Sequence, residues 1–157
     1  MAEIRLHPIG ESSQAPTGTR LLDVLLDHKC SVMMACGGQA ICATCHVYIE
    51  QGKEHLNPIS DREKRTLGLI TGANPHSRLS CQTQICGEGV VEVRLPEGLY
   101  LESMNDLEAL IGKRTNVPIL HPRDGRVLIA KNKIITRTRI LELSEVDPET
   151  FNFDLTT

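Results

Sequence analysis

Aromatic side chains are scarce in this sequence. Of its 157 residues, two are Tyr, two are Phe and none is Trp, so aromatics make up only 3% of the chain. Hydrophobic residues nevertheless make up 40%. A packed core is therefore expected, built mainly from Leu, Ile and Val, and wholesale disorder is not expected.

A long apolar run and a secretory leader are also missing. No stretch approaches the roughly 18 apolar residues that a membrane-spanning helix needs. The amino-terminal residues MAEIRLHPIGE do not place a cationic lead before an apolar stretch. These absences predict a cytoplasmic protein with no membrane partner. The formal net charge of −3 argues against nucleic acid, whose binding depends on Lys and Arg neutralising phosphates.

Motifs of the common enzyme sites are absent as well. The sequence contains no nucleophile elbow, no phosphate loop of the GxxxxGK[ST] type and no paired carboxylates in a readable context. The chain is therefore not expected to be an enzyme.

Cysteine, in contrast, is well represented in the sequence. Six are present, and four of them fall between Cys30 and Cys45. Structural disulfides are rare in reducing compartments, where clustered cysteines more often bind metal or carry out redox chemistry. Five residues separate Cys36 from Cys42, two separate Cys42 from Cys45, and thirty-five more precede Cys81. Three ligands on one loop and a fourth from a distant strand can enclose an iron–sulfur cluster, which takes four thiolates.

The residues between these cysteines suit such a cluster. Two ferric ions, two sulfides and four thiolates leave an oxidised [2Fe–2S] site with a charge of about −2, and reduction adds one more. A partly buried anion needs hydrogen bonds aimed at its sulfurs. Gly37, Gly38, Ala40 and Ala43 keep backbone N–H groups accessible, and glycine can adopt the positive φ of a wrapping loop. Thr44 adds a hydroxyl donor.

Periodicity and turn residues predict a mixed sheet carrying helices, an α+β class. Thr19 is predicted to cap the first helix, and Ser60 with Glu63 forms a capping box for the second. The predicted elements are strands over Glu3–Ile9, Val47–Glu50, Arg78–Ile85 and Val90–Leu95, a short strand before Pro16, and helices over Arg20–Lys29 and 60–70. Gly87-Glu88-Gly89 is predicted to join the last two strands.

A boundary is predicted at Pro96-Glu97-Gly98, which separates residues 1–98 from a small β-rich module over 99–157. A unit of about 60 residues is marginal alone, so it should pack on the first domain or form a homodimer or partner-docking interface. Its predicted elements are a strand over Val117–Leu120, a hairpin of Val127–Ala130 with Ile134–Thr136, and helices over Asn105–Ile111 and Arg137–Leu143.

Three motifs carry a resemblance to a known family. They are LLDVLLDHK before the loop, CGG-x3-C-x2-CHV within it, and RLSCQ ahead of the final strand. With them, residues 1 to about 95 resemble the vertebrate-type [2Fe–2S] ferredoxins, the adrenodoxin and bacterial Isc group. The five-residue interval between the first two cysteines distinguishes this group from plant-type ferredoxins, which have four.

This resemblance implies a β-grasp fold and a one-electron carrier. Such ferredoxins pass electrons from a flavoprotein reductase to acceptors that include cytochromes P450 and the iron–sulfur assembly machinery. By motif position, Cys36, Cys42, Cys45 and Cys81 take the ligand roles for one [2Fe–2S] cluster.

The sequence departs from the family along the segment SDREKRTLGL. Adrenodoxin-like members carry acidic residues on this helix, where basic reductases dock. Here the segment has Arg62, Lys64 and Arg65, and only Asp61 and Glu63 are acidic. This departure calls docking through an acidic helix into question.

Other interpretations of the cysteines remain open. A C-x2-C pair is common in structural zinc sites, although zinc ribbons usually pair two such knuckles. An iron–sulfur module that regulates a partner held by the C-terminal residues is a further alternative. Cys30 precedes Cys36 by six positions, so a shifted ligand set is conceivable, but Cys30 is interpreted as a buried thiol and Cys86 as a packed or exposed one. His46 is interpreted as a hydrogen-bonded support behind the loop.

Overall fold

The structure is a computed structural model that describes residues 1–30, 32, 38–100, 108–121 and 125–146. Two β-sheets organise these residues. The first contains five strands in the order β2-β1-β5-β3-β4, in which β1 and β5 run parallel and the other neighbours antiparallel. The strands are β1 (Ala2–His7), β2 (Glu11–Ala15), β3 (His46–Gln51), β4 (Ser77–Leu79) and β5 (Val90–Arg94).

Two α-helices and two 3₁₀ turns accompany this sheet. They are α1 (Leu21–Asp27), α2 (Asp61–Leu67), and turns over Lys53–His55 and Ser80–Gln82. This combination confirms the predicted α+β class.

Aliphatic side chains fill the core beneath the five-stranded sheet. Alternate residues of β1, namely Ala2, Ile4 and Leu6, are buried because successive side chains of a strand point to opposite faces. They meet Leu21 and Leu25 of α1 in one continuous cluster. The core is thus built from Leu, Ile and Val, as the composition predicts.

The predicted cap of the first helix is wrong. Helix α1 begins after Arg20, and no side chain caps it. Instead the backbone N–H of Leu21 donates to the carbonyl of Thr83, 2.8 Å away, while the carbonyl of Thr19 accepts from Ile85. Backbone pairing with the segment after β4 therefore satisfies the helix start, a contact that local sequence does not reveal.

Half of the capping box before α2 forms. Ser60 Oγ accepts from the backbone N–H of Glu63 at 3.2 Å, as predicted. The Glu63 side chain does not turn back to Ser60. It accepts from the backbone N–H of Leu79 at 2.9 Å and from the guanidinium of Arg78 at 2.8 and 3.2 Å. The helix ends at Leu67 rather than Ile70.

The predicted strand over Arg78–Ile85 is too long. Strand β4 ends at Leu79, where the chain turns into the 3₁₀ segment Ser80–Gln82. Strand β5 then pairs with β1 and β3, so β4 and β5 do not form a hairpin. The turn directs Cys81 toward the loop before β3.

A second sheet of three strands contains much of the C-terminal region. It comprises β6 (Leu99–Tyr100), β7 (Ile119–Leu120) and β8 (Val127–Ile129), with β6 parallel to β7 and β7 antiparallel to β8. Helix α3 (Arg137–Val146) follows. The sheet confirms a β-rich C-terminal region. Its small core contains Ile119, Leu128, Ile129, Ile135 and Ile140.

Some of the secondary-structure elements predicted for this region form, and others do not. The helix predicted from Arg137 forms as α3, whereas Ile134 makes only an isolated bridge to Arg114, so the predicted hairpin is wrong. Most of the helix predicted over Asn105–Ile111 lies outside the described residues. Tyr100 and Leu120 pack into the core of the five-stranded sheet, which joins the two sheets. No helix in the described part of the chain is long and apolar enough to cross a bilayer.

The buried ion pair between Glu63 and Arg78 generates a stability prediction. We expect Glu63→Ala to destabilise the protein by about 3–5 kcal/mol, because it leaves a buried guanidinium without its counter-charge. Guanidinium chloride titration followed by far-ultraviolet circular dichroism measures the change. Glu97→Ala, which breaks the exposed pair with Lys131, is the control and should cost less than about 1 kcal/mol. Equal losses in the two variants would contradict this role of the pair.

Candidate metal centre

The structure describes three of the four predicted ligands. Cys42 and Cys45 lie on the loop before β3, and Cys81 lies in the 3₁₀ turn after β4. All three are buried, with 1%, 1% and 6% of their surface exposed. Cys36 lies outside the described residues. A hydrogen bond between Cys45 and Cys81 joins two distant parts of the sequence.

A hydrogen bond links the sulfurs of Cys45 and Cys81, and nearby donors contact the sulfur of Cys81. The hydrogen bond from Cys45, aided by donors on Gln82 and on the backbone of Ala40, lowers the pKa of Cys81 to about 6 against the effect of burial. The same bond, together with burial, raises the pKa of Cys45. One sulfur of this pair is thus favoured as a thiolate.

Cys42 has a hydroxyl group beside its sulfur. Thr44 Oγ1 lies 3.1 Å from Cys42 Sγ, and both side chains are buried. A thiolate sulfur only accepts hydrogen bonds, so Thr44 is the donor whenever Cys42 is deprotonated. The sequence predicts Thr44 as a hydroxyl donor, and the structure places its hydroxyl beside Cys42.

The RLSCQ segment fastens the loop from one side. The backbone N–H and the hydroxyl of Ser80 both donate to the carbonyl of Cys45, at 3.0 and 2.8 Å. Gln82 Nε2 donates to the carbonyl of Gly38 at 2.7 Å and lies 3.6 Å from the sulfur of Cys81. The residues on either side of Cys81 thus fix both the loop and the sulfur.

Helix α2 fastens the loop from the other side. The buried hydroxyl of Thr66 donates to the carbonyl of Ala40. Ala40 has a φ of 60°, a left-handed conformation that costs a non-glycine residue about 1–2 kcal/mol. Gly38 has a φ of 82°, as expected for a glycine of this loop. Sequence reasoning missed both the conformation of Ala40 and the role of Thr66, because neither has a local signal.

A cation near the sulfurs was also missed. Arg20 immediately precedes α1, and its guanidinium donates to Asp23 at 2.8 Å. The hydrogen bond to Asp23 raises the pKa of Arg20, and the negative charges of Cys81 and Cys45 raise it further. Arg20 therefore lies within electrostatic range of Cys81 and Cys45 while it is paired with Asp23.

His46 acts as a support, as its sequence context indicates. It is buried, and its Nε2 lies 2.8 Å from the hydroxyl of Ser77 on β4. Because Ser77 Oγ accepts from the backbone N–H of Asn74 at 2.9 Å, its own proton is available to the ring. Burial lowers the pKa of His46 to about 4, so the ring is neutral at pH 7.

The two remaining cysteines lie in different surroundings. Cys30 is half-buried against the main core, and burial followed by the charge of Glu11 raises the pKa of its thiol. Cys86 is exposed, with its sulfur 3.7 Å from the carbonyl of Gln84. In the described part of the structure, the interactions of these two thiols do not include Cys42, Cys45 or Cys81.

The donor set fits an iron–sulfur cluster. A [2Fe–2S] cluster shares four thiolates between two irons. Cys42, Cys45 and Cys81 supply three buried sulfurs for that purpose. Buried sulfurs that receive hydroxyl, amide and backbone donors are suited to hold that anionic cluster.

Comparison with known proteins agrees with this chemistry. A family described as the 2Fe-2S iron-sulfur cluster binding domain matches residues 4–86. The chain belongs to the [2Fe–2S] ferredoxin family. It therefore binds a [2Fe–2S] cluster, as predicted, and shares its fold with one-electron carriers.

Relatives match the first part of the chain. A 2Fe-2S ferredoxin of Haemophilus influenzae is 38% identical over 90 residues, which cover 57% of this chain and 79% of that protein. Rhodocoxin of Rhodococcus erythropolis is 38% identical over 99 residues, covering 59% and 92%. The family match ends at residue 86, so the C-terminal sheet lies beyond it.

Solved structures place the chain in the adrenodoxin-like and Isc-like group and confirm the predicted β-grasp fold. An ISC-like [2Fe–2S] ferredoxin from Pseudomonas putida is 27% identical with a TM-score of 0.57, covering 61% of this chain and 93% of that one. Putidaredoxin in a covalent complex with putidaredoxin reductase is 28% identical with a TM-score of 0.51, covering 60% and 98%.

The contact between Thr66 and Ala40 generates a prediction on cluster retention. We expect Thr66→Val to lose its visible absorbance to an iron chelator about fivefold faster than the parent. The reason is that one buried hydrogen bond of about 1 kcal/mol no longer holds the loop. Thr138→Val, on the exposed surface of α3, is the matched control. Identical rates in all three proteins would rule out a holding role for Thr66.

Proposed function

We propose that this protein is a one-electron carrier whose single [2Fe–2S] cluster is held by Cys36, Cys42, Cys45 and Cys81. The observation that carries the proposal is the set of donors directed at buried sulfurs, from Thr44 to Cys42 and from the flanking residues to Cys81. Donors of this kind stabilise the added negative charge of the reduced state and so favour reduction.

Different residues of the protein hold the loop, exclude water and offset charge. When bound, the cluster supplies the one-electron couple between its 2+ and 1+ states. Ser80, Gln82 and Thr66 hold the loop at three separate carbonyls, so it need not rearrange when charge changes. Burial excludes water from the sulfurs, while Arg20 offsets part of the negative charge.

The partners that we propose are a ferredoxin reductase and redox acceptor proteins. The support is the similarity to putidaredoxin, whose structure in complex with its reductase shows one such pairing. We further propose that residues 1–98 form the ferredoxin domain, that residues 99–157 serve as a docking element or homodimer interface, and that the protein is cytoplasmic. Neither nucleic acid nor membrane is proposed as a partner.

A regulatory module is the second candidate, and one observation favours it. Tyr100 and Leu120 of the C-terminal sheet share a core with Cys45. Burial raises the pKa of Tyr100, and the negative charge of Cys45 raises it further, which places the tyrosine within electrostatic range of the centre. A change of cluster charge could thus reach a partner bound to the C-terminal region.

Voltammetry combined with hydrogen exchange separates the two functions. A carrier should give one reversible one-electron wave over repeated cycles, with the same amide exchange in both oxidation states. A regulator should alter exchange across the C-terminal sheet on reduction. A colourless zinc protein with no wave would exclude both.

Serine substitutions test the ligand set. We expect Cys36→Ser, Cys42→Ser, Cys45→Ser and Cys81→Ser each to lose or severely alter the visible spectrum of the cluster. The matched controls Cys30→Ser and Cys86→Ser should retain it, since neither thiol lies with the buried group. A colourless Cys30→Ser protein beside a normal Cys36→Ser protein would assign a different ligand register.

The Thr44 hydroxyl should tune the reduction potential. We expect Thr44→Val to lower the midpoint potential by an amount on the order of tens of millivolts, because the reduced state loses a donor to Cys42. Thr83→Val is the control, since its buried hydroxyl donates to the carbonyl of Leu79 rather than to a sulfur. An unchanged potential in Thr44→Val, or an equal shift in Thr83→Val, would contradict this tuning.

A further inference from the structure

The metal-binding loop has one covered flank. Gly125 of the C-terminal region lies against Ala43, the residue midway between Cys42 and Thr44. A Cβ atom placed on Gly125 would be 3.8 Å from the Cβ of Ala43 and 3.7 Å from the Cγ2 of Ile70. Ala43 has no exposed surface. A redox partner therefore has no direct access to the loop at Ala43.

The flank facing α2 is open and apolar. Ile41 is 47% exposed, although it follows the fully buried Ala40. The hydrogen bond from Thr66 to Ala40 places this part of the loop against α2. Leu69 follows Thr66 by three residues and is 77% exposed. The loop and the turn after the helix thus each expose a large apolar side chain next to a residue of this hydrogen bond or one turn beyond it.

Arginines flank this apolar pair on the helix. Arg62 and Arg65 lie three residues apart in α2, which places them on one face of the helix, and Leu69 lies in the turn that follows it. Both arginines are exposed, as is Lys64. We call the surface formed by Ile41, Arg62, Arg65 and Leu69 the loop–α2 surface.

Among the described residues, no partner neutralises the positive charge of this surface. No ion pair or side-chain hydrogen bond joins Arg62, Lys64 or Arg65 to the residues that the structure describes. The neighbouring acid Glu63 points inward and pairs with Arg78. Asp61 is the one exposed carboxylate of α2, so three cations face solvent against one acid.

We propose that the loop–α2 surface is where redox partners dock, and that those partners present an acidic surface around an apolar centre. This inference rests on the proposed function and adds the charge of the partner. Opposite charges steer association and orient the complex, while apolar side chains at the centre exclude water. The polarity is the reverse of the acidic docking helix that the family resemblance implies.

Charged electron acceptors test the proposal on the whole holoprotein. The anaerobically reduced protein is mixed in stopped flow with hexacyanoferrate(III), an anion that takes one electron and becomes hexacyanoferrate(II). Basic cytochrome c, whose ferric haem also takes one electron, is the cationic acceptor. The variant Arg62→Glu/Lys64→Glu/Arg65→Glu is compared with a control of equal charge change, Lys113→Glu/Lys133→Glu/Arg137→Glu, on the exposed C-terminal region.

The α2 variant should react about tenfold more slowly with hexacyanoferrate(III) and faster with cytochrome c at an ionic strength of about 0.1 M. The control should change by less than about twofold, and about 1 M salt should abolish the difference by screening. If the triple substitution lowers cluster content, the milder Arg62→Gln/Arg65→Gln variant should show the same trend at a smaller size.

Equal slowing in the α2 variant and the control would show an effect of net charge alone and would overturn the proposal. Unchanged rates in the α2 variant would also overturn it, with the carrier function intact. A parent protein that transfers no electron to either acceptor would instead remove the proposed function, and the inference with it.

Discussion

Negative charge on buried sulfur is the constraint on which this structure depends. Thiolates and a [2Fe–2S] cluster carry charge that water would stabilise, yet Cys42, Cys45 and Cys81 are almost completely buried. The protein must replace water with donors that stay in place in both oxidation states. Thr44, Gln82 and the backbone of the loop supply them.

Holding those donors in place requires long-range contacts, and the fold is arranged to provide them. Strand β4 stops at Leu79 so that the following turn can direct Cys81 toward the loop. The buried pair of Glu63 and Arg78 joins α2 to this strand, and Thr66 extends the connection to Ala40. Hydrogen bonds and an ion pair therefore connect helix, strand and loop around the centre, and Tyr100 and Leu120 of the C-terminal sheet pack into the same core.

Which features can be predicted from the sequence depends on how far apart in the chain the interacting residues lie. Ligand spacing, small loop residues and the aliphatic core are local or compositional, so they are predictable. The inward turn of Glu63, the left-handed Ala40 and the backbone partner of Leu21 depend on residues 15 to 62 positions away. Local rules predict a complete capping box and a Thr19 cap, because they contain no information about such partners.

The most direct test of the account is the content of the protein purified without oxygen. Chemical analysis should find two irons and two acid-labile sulfides per chain, and the dithionite-reduced protein should give a single S = 1/2 electron paramagnetic resonance signal. Iron without sulfide, zinc in its place, or a cluster that survives removal of the Cys81 sulfur would contradict the view that these buried thiolates hold a [2Fe–2S] centre.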